Sequence, residues 1–366
     1  MAEDAPIGDL GKISLEDVQG RPADGGGVDP DDRVRVGGDG WLGDVLPGLP
    51  PGRERSPAQA LTGRARVARI AGPIHDRLVV YVLVAAVAGL LAPDAASRLS
   101  AGVPYMLAGQ VLGVALTLTV GQFATVARRP LPVLLALGAQ WTVLPLAGVA
   151  LLHAGGSADL RDGALIVAVA PAEITSALVA LLAGGSGAVA TLCMAGSLLL
   201  GTVLTPLWVS AVLGPGAHVD GQTLILELAL AVALPLIIGV GLRTSLPGLG
   251  RLRSRALDLS AISVVLVVFV SVGSARTLLF STSLLEGLAL CAILLLAGYA
   301  LGLVIGRPWR RDAHLTRALL FPVAMREFGI AATVALAVSP RSLGFIGLYG
   351  LTLMVTAPTV ARLIRP

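Results

Sequence analysis

Two places within the apolar runs of this chain combine residue types that can hold ions or small charged molecules. In 163–183, GALIVAVAPAEITSALVALLA, the carboxylate of Glu173 follows Pro171, and the hydroxyls of Thr175 and Ser176 come next. In 314–338, HLTRALLFPVAMREFGIAATVALAV, Arg326 and Glu327 sit between Pro322 and Gly329. A third polar side chain, Gln140, interrupts the apolar run LLALGAQWTVLPLAG. Carboxylates accept cations or protons, a guanidinium offers five donors to an anion, and an amide offers both donor and acceptor. A charge at the middle of a bilayer costs several kcal/mol, so it is tolerated only where it faces protein or a watery cavity. Proline removes an amide donor and opens a helix, and nearby hydroxyls can satisfy the freed backbone. These residues therefore mark a binding site at two broken helices.

The three central charges do not cancel. A buried pair of Glu173 with Arg326 would lock the crossing, because buried charges survive mainly by pairing. Glu327 is then left over and needs a cation, a proton or a substrate group; a carboxylate in a low-dielectric site holds a proton more tightly, which favours a proton as coupling ion. Gln140 serves equally as an interhelical hydrogen bond, and Thr175, Ser176, Thr191, Thr205 and Thr333 serve as packing residues or ligands. His75, His153, His218 and His314 are scattered, and Cys193 and Cys291 lie in apolar runs. No catalytic constellation, metal cluster, disulfide framework or cofactor motif follows from them.

The elements that must position the site are apolar helices. Of 366 residues 55% are hydrophobic, only 14% are charged, and 45 are glycine, which excludes an ordinary soluble domain and fits closely packed helices in a bilayer. The net charge of +4 does not indicate nucleic-acid binding, since the arginines sit at the ends of apolar runs. Ten runs, 76–93, 102–124, 130–153, 163–183, 188–214, 222–243, 257–275, 283–306, 314–338 and 343–362, mostly approach the ~20 residues that cross a hydrocarbon core. Residues 1–70, rich in Gly, Asp and Pro with DPDD at 29–32, bury too little apolar surface to order and form a disordered extension before a transporter domain at 71–366. No cleaved signal peptide is expected.

Arginines at 53, 55, 64, 66, 69, 77, 128, 129, 243, 251, 253, 255, 307, 310, 311, 317, 362 and 365 fall on one side of these spans, against Arg98, Arg161, Arg276 and Arg341 on the other. This bias places both termini in the cytoplasm of a plasma-membrane protein. Ten spans divide into two repeats of five, about 76–214 and 222–362, inverted relative to each other because five is odd. The broken fourth and ninth helices then cross near the midplane, the pattern of a secondary transporter. The expected fold is an all-α polytopic membrane protein.

These motifs resemble the bile acid:sodium symporter family. VLGVALTLTVGQFATVARRPLPVLLALGAQWTVLPLAG (111–148) is similar to the family's second and third spans, with Gln140, Trp141 and Pro145 in its Gln-aromatic-x-x-x-Pro run. PAEITSALVALLAGGSGAVATLCMAGSLLLGTVLTPLW (171–208) is similar to the fourth and fifth, and REFGIAATVALA (326–337) to the ninth. The resemblance implies transport of a small organic anion through Gln140, Glu173, Thr175, Ser176, Arg326 and Glu327, with the anion near Arg326. It also exposes departures. Ala177 stands where sodium-binding members carry Asn, Ala190 and Met194 where they carry hydroxyls, and either Pro322 or the pair Ala331 and Ala332 where they carry Glu or Gln-Asn. These losses weigh against sodium and for a proton. Arsenite efflux, on the related exporters' pattern, and a non-transporting receptor or scaffold are the rival readings. The partners implied are the organic anion and the lipid bilayer; the oligomeric state is left open.

Overall fold

A computed structural model of the protein describes residues 78–121, 124, 130–153, 156–213 and 221–365. The extension expected over 1–70 and the start of the first span lie outside the described residues. Helices occupy the rest in the expected order: α1 Leu78–Leu91, α2 Pro93–Leu99, α3 Val103–Ala115, α4 Leu131–Leu151, α5 Ala158–Ala168, α6 Ser176–Leu182 and α7 Gly187–Leu213. They continue as α8 Gly221–Leu228, α9 Leu234–Ser245, α10 Arg253–Leu279, α11 Leu284–Gly306, α12 Ala313–Ala324, α13 Phe328–Val338 and α14 Leu343–Leu363.

Helix ends follow local chemistry. Ser157 caps α5, its hydroxyl accepting from the Leu160 amide at 3.4 Å, and the Asp312 carboxylate caps α12 by accepting from Leu315 at 3.0 Å. Such caps satisfy amides that have no partner within the helix. Between α8 and α9 one π turn, Ala229–Ala233, precedes Pro235, whose missing amide cannot continue the ordinary i−4 ladder.

The helices pack in two groups. In one, α10 lies against α1, α2 and α3, with α9 on α3; in the other, α11 and α7 hold α4, α6 and α12 around the short helices α5 and α13. The groups meet where α14 runs along α10 and α13 along α3. Close approach of α14 to α10 depends on Gly347, whose Cα faces the Ser271 carbonyl so tightly that a Cβ would collide with it.

Among the described residues six helices, including α4, α7, α10, α11 and α14, are long and apolar enough to cross a membrane, and a seventh is reached if α1 with α2–α3, bent by 106°, counts as one span. Outward-facing Val84, Leu134, Ile237 and Leu296 are about three-fifths exposed or more. Water would not tolerate so continuous an apolar surface, whereas lipid does. The protein is an integral membrane protein of packed helices.

Two sequence expectations need correction. Pro322 does not break its helix, and Gly329 lies inside α13; the chain leaves helical geometry only at Met325–Glu327. Pro322 ends one amide ladder step, but Met325 still donates to the Phe321 carbonyl at 2.9 Å, so α12 runs on past the proline. The join expected between the first two spans is itself helical, as α2 after the sharp bend at Ala92.

Candidate functional site

The two interruptions cross and pair. The first runs from Val169 to Thr175 between α5 and α6, and the second is Met325–Glu327 between α12 and α13. Glu173 donates its amide to the Met325 carbonyl at 3.0 Å, and Glu327 donates to the Pro171 carbonyl at 2.9 Å. Ala172 and Arg326 thus face each other as a two-residue antiparallel bridge. The remaining amides opened by the breaks find side chains: Ala172 donates to Ser197 Oγ at 2.9 Å, and Arg326 donates to Tyr349 Oη at 3.1 Å. Thr205 Oγ1 donates to the Val169 carbonyl at 2.7 Å. Buried backbone groups need such partners, since each orphan costs about 1–3 kcal/mol.

Neighbouring residues of an extended segment point to opposite sides, and this sorts the charges. On one side stand Glu173 and Glu327, at matching positions of the two breaks, with their carboxyl groups in contact. Glu327 caps α13, Oε1 accepting from Gly329 at 3.1 Å, while Oε2 accepts from Ile174 at 2.9 Å. One carboxylate therefore ties together the N-terminal ends of both inner half-helices, where negative charge is favoured. Glu173 Oε1 is engaged by Thr175, amide and hydroxyl both at 3.4 Å. Gln110 of α3 lies beside Glu327.

On the opposite side is Arg326. Its Nη1 donates to Gln140 Oε1 at 3.3 Å and to the Ala170 carbonyl at 3.1 Å, and Nη2 donates to the Val323 carbonyl at 2.9 Å. Neither carboxylate is among its partners, so the expected Glu173–Arg326 ion pair is not formed. The reason is geometric: the bridge puts Ala172, not Glu173, opposite Arg326.

The site expected from the sequence is thereby placed residue by residue. Glu173, Ser176, Gln140, Arg326 and Glu327 are buried around the crossing, and Thr175 is half-buried at the start of α6. Several buried atoms have no hydrogen-bond partner: Glu173 Oε2, Ser176 Oγ and both amide atoms of Gln110, and also Gln140 Nε2 and Arg326 Nε. Unpartnered Glu173 Oε2 and the Gln110 amide thus lie on the carboxylate side, and the unpartnered Gln140 Nε2 and Arg326 Nε on the guanidinium side. Sequence reasoning missed Gln110, Ser197 and Tyr349. Gln110 carried the same signal as Gln140, an amide inside an apolar run, whereas a lone Ser or Tyr in such a run carries none.

Crossed, interrupted helices that bring buried charges together inside a bilayer define an integral membrane transporter rather than an enzyme. The comparisons agree. Residues 104–282 match the model of the Sodium Bile acid symporter family, and over that stretch the chain is similar to the family. It is 28% identical over 265 residues to an uncharacterized sodium-dependent transporter, YocS, of Bacillus subtilis (strain 168), covering 70% of this chain and 81% of that protein. Two rice proteins, from Oryza sativa subsp. japonica, are also similar. A probable chloroplastic sodium/metabolite cotransporter, BASS1, is 25% identical over 227 residues, 62% of this chain and 56% of its own. A second, BASS3, is 29% identical over 140 residues, 38% of this chain and 33% of its own.

Proposed function

We propose that this protein carries a small organic anion across the plasma membrane together with a monovalent cation, by alternating access between its two helix groups. The observation that carries this reading is the charge count at the crossing. Two carboxylates stand against one guanidinium, which leaves one negative charge for a mobile cation to neutralise. An organic anion approaching Glu173 and Glu327 is repelled until that cation is bound; two unit charges ~5 Å apart at an effective dielectric of ~20 repel by roughly 3 kcal/mol. Loading of cation before anion is the basis of coupling in this scheme.

Sodium is the ion we assign. The sequence argument for a proton rested on the proton affinity of a buried, unpaired Glu327 and on oxygen ligands lost at Ala177, Ala190 and Met194 and in the ninth span. The carboxylate side supplies other oxygens, from Glu173, Glu327 and Gln110, and the curated relatives bear sodium in their names. The anion is assigned to the contact between the helix groups beside α3 and α13, and not to the Arg326 side.

The ten-span arrangement in two inverted repeats belongs to the same reading. The 11 residues of α5 and the 12 of α12 are each about 16–18 Å long at 1.5 Å per residue, enough to bring the breaks to mid-bilayer. The half-helices also clasp each other reciprocally. The turn after α6 meets the start of α12 through His314 Nδ1 and the Gly184 carbonyl at 2.7 Å, and the end of α13 meets α5 through Ser339 Oγ and Asp162 at 3.3 Å.

The test is thermal stability of the purified protein in detergent, in sodium or choline chloride, across pH and with a panel of organic anions. A ligand that binds only the native state stabilises it by about 2.7 kcal/mol at a hundred times its Kd. Sodium is expected to raise the melting temperature, and an anion to raise it further only when sodium is present. An anion shift of equal size in choline would remove cation coupling; a shift set by pH and not sodium would restore the proton; no shift with any anion would sink the transport reading.

A further inference from the structure

We infer that Arg326 is a built-in cation, its guanidinium filling a buried slot lined by carbonyl oxygens that would otherwise take a mobile monovalent ion. Three oxygens converge on it: Gln140 Oε1, the Ala170 carbonyl and the Val323 carbonyl, at 3.3, 3.1 and 2.9 Å. All three belong to neutral groups. The Val323 carbonyl lies in the last turn of α12 and the Ala170 carbonyl just beyond α5, where helix dipoles place partial negative charge and leave acceptors unpaired. Carbonyl oxygens at paired half-helix ends, with an amide oxygen completing the set, are the donor chemistry of a site for a hard monovalent cation.

An anion-binding role fits this side poorly. Both terminal nitrogens are committed to oxygens, the residue is 3% exposed, and an anion entering here would meet the same carbonyl dipoles that attract the guanidinium. The carboxylates face away, on the other side of the bridge, so Arg326 makes no ion pair with either of them and offsets only the net charge of the crossing. Its positive charge serves the two helix ends. The consequence is economy of ions: one cationic position is filled permanently by the chain, and only the carboxylate side remains for exchange with solution.

The experiment removes the charge and offers a free cation in its place. Full-length parent, Arg326→Met and Arg326→Lys proteins are purified in detergent, and their melting temperatures are measured in choline, sodium, potassium and guanidinium chloride at equal ionic strength and low denaturant concentration. No substrate is present, so the result does not depend on transport. Arg326→Met should melt lower than parent in choline and recover most of the loss in sodium, potassium or guanidinium, by a shift larger than the parent's own. Arg326→Lys should keep a charge in the slot and respond to cations no more than the parent. If Arg326→Met shows no cation response beyond that of the parent, or fails to fold in every salt while Arg326→Lys folds, the inference is overturned. Misfolding of Arg326→Met in choline that a small cation reverses would support it.

Discussion

Glu173 and Glu327 occupy equivalent positions in the two breaks, yet their removal should have opposite effects on stability. Replacing Glu327 with alanine orphans the amides of Ile174 and Gly329, which it accepts at 2.9 and 3.1 Å. Hydrogen bonds to a charged group contribute about 1.5–3 kcal/mol each, so the loss is roughly 3–6 kcal/mol. Replacing Glu173 removes only the 3.4 Å contacts from Thr175, about 1 kcal/mol or less. It also relieves repulsion between the carboxylates, worth as much as ~3 kcal/mol at ~5 Å when both are ionised and the effective dielectric is ~20. In sodium-free buffer Glu173→Ala should therefore melt at or above the parent, and Glu327→Ala well below it. A gap of ~3 kcal/mol or more corresponds to roughly 6–12 °C for a domain of a few hundred residues. The assay is loss of monomeric protein on size-exclusion chromatography after heating in detergent. Equal destabilisation of the two variants, or the reverse order, would refute the reading of Glu327 as the carboxylate that ties the two half-helices together.

Three further outcomes follow from the same geometry. Ser197→Ala leaves the Ala172 amide without its 2.9 Å acceptor and should cost about 1–3 kcal/mol, read as a lower melting temperature; Ser197→Thr, which keeps the hydroxyl, should recover much of it. Tyr349→Phe removes the acceptor of the Arg326 amide at 3.1 Å, with a similar loss of about 1–3 kcal/mol, and an unchanged melting curve would show that the hydroxyl is dispensable. Gly298→Ala puts a Cβ 2.7 Å from the Ala324 Cα, where α11 crosses the end of α12. Backbone cannot yield as a side chain does, so a loss of about 1–3 kcal/mol is expected, with transport in reconstituted vesicles falling as well.

The positions of the breaks were legible because proline and ionisable residues stand out in apolar runs, and the bilayer makes such residues costly unless they are used. Which charge meets which was not. The pairing of Glu173 with Arg326 is the natural guess from opposite signs, but the register of the bridge, a backbone property, sets Arg326 against Ala172 and sends its guanidinium to carbonyl groups that every sequence has. Pro322 misled for a related reason: the loss of one amide marks where a helix can open, whereas the opening three residues later is held by Tyr349, Pro171 and Glu173 from elsewhere in the fold. Gln110 shows a different limit. An amide in an apolar helix announces a polar contact, and only packing of α3 against α13 reveals that the contact is with the carboxylates.

The bridge at the crossing is made from main-chain atoms, Glu173 to Met325 and Glu327 to Pro171, so its bonds do not consult the side chains at 172, 173 and 326. Those positions can be rewritten while the scaffold around them persists. Descendants of one such scaffold can therefore diverge in ion appetite through a few substitutions, and a designer seeking a new ion dependence would begin with these three residues.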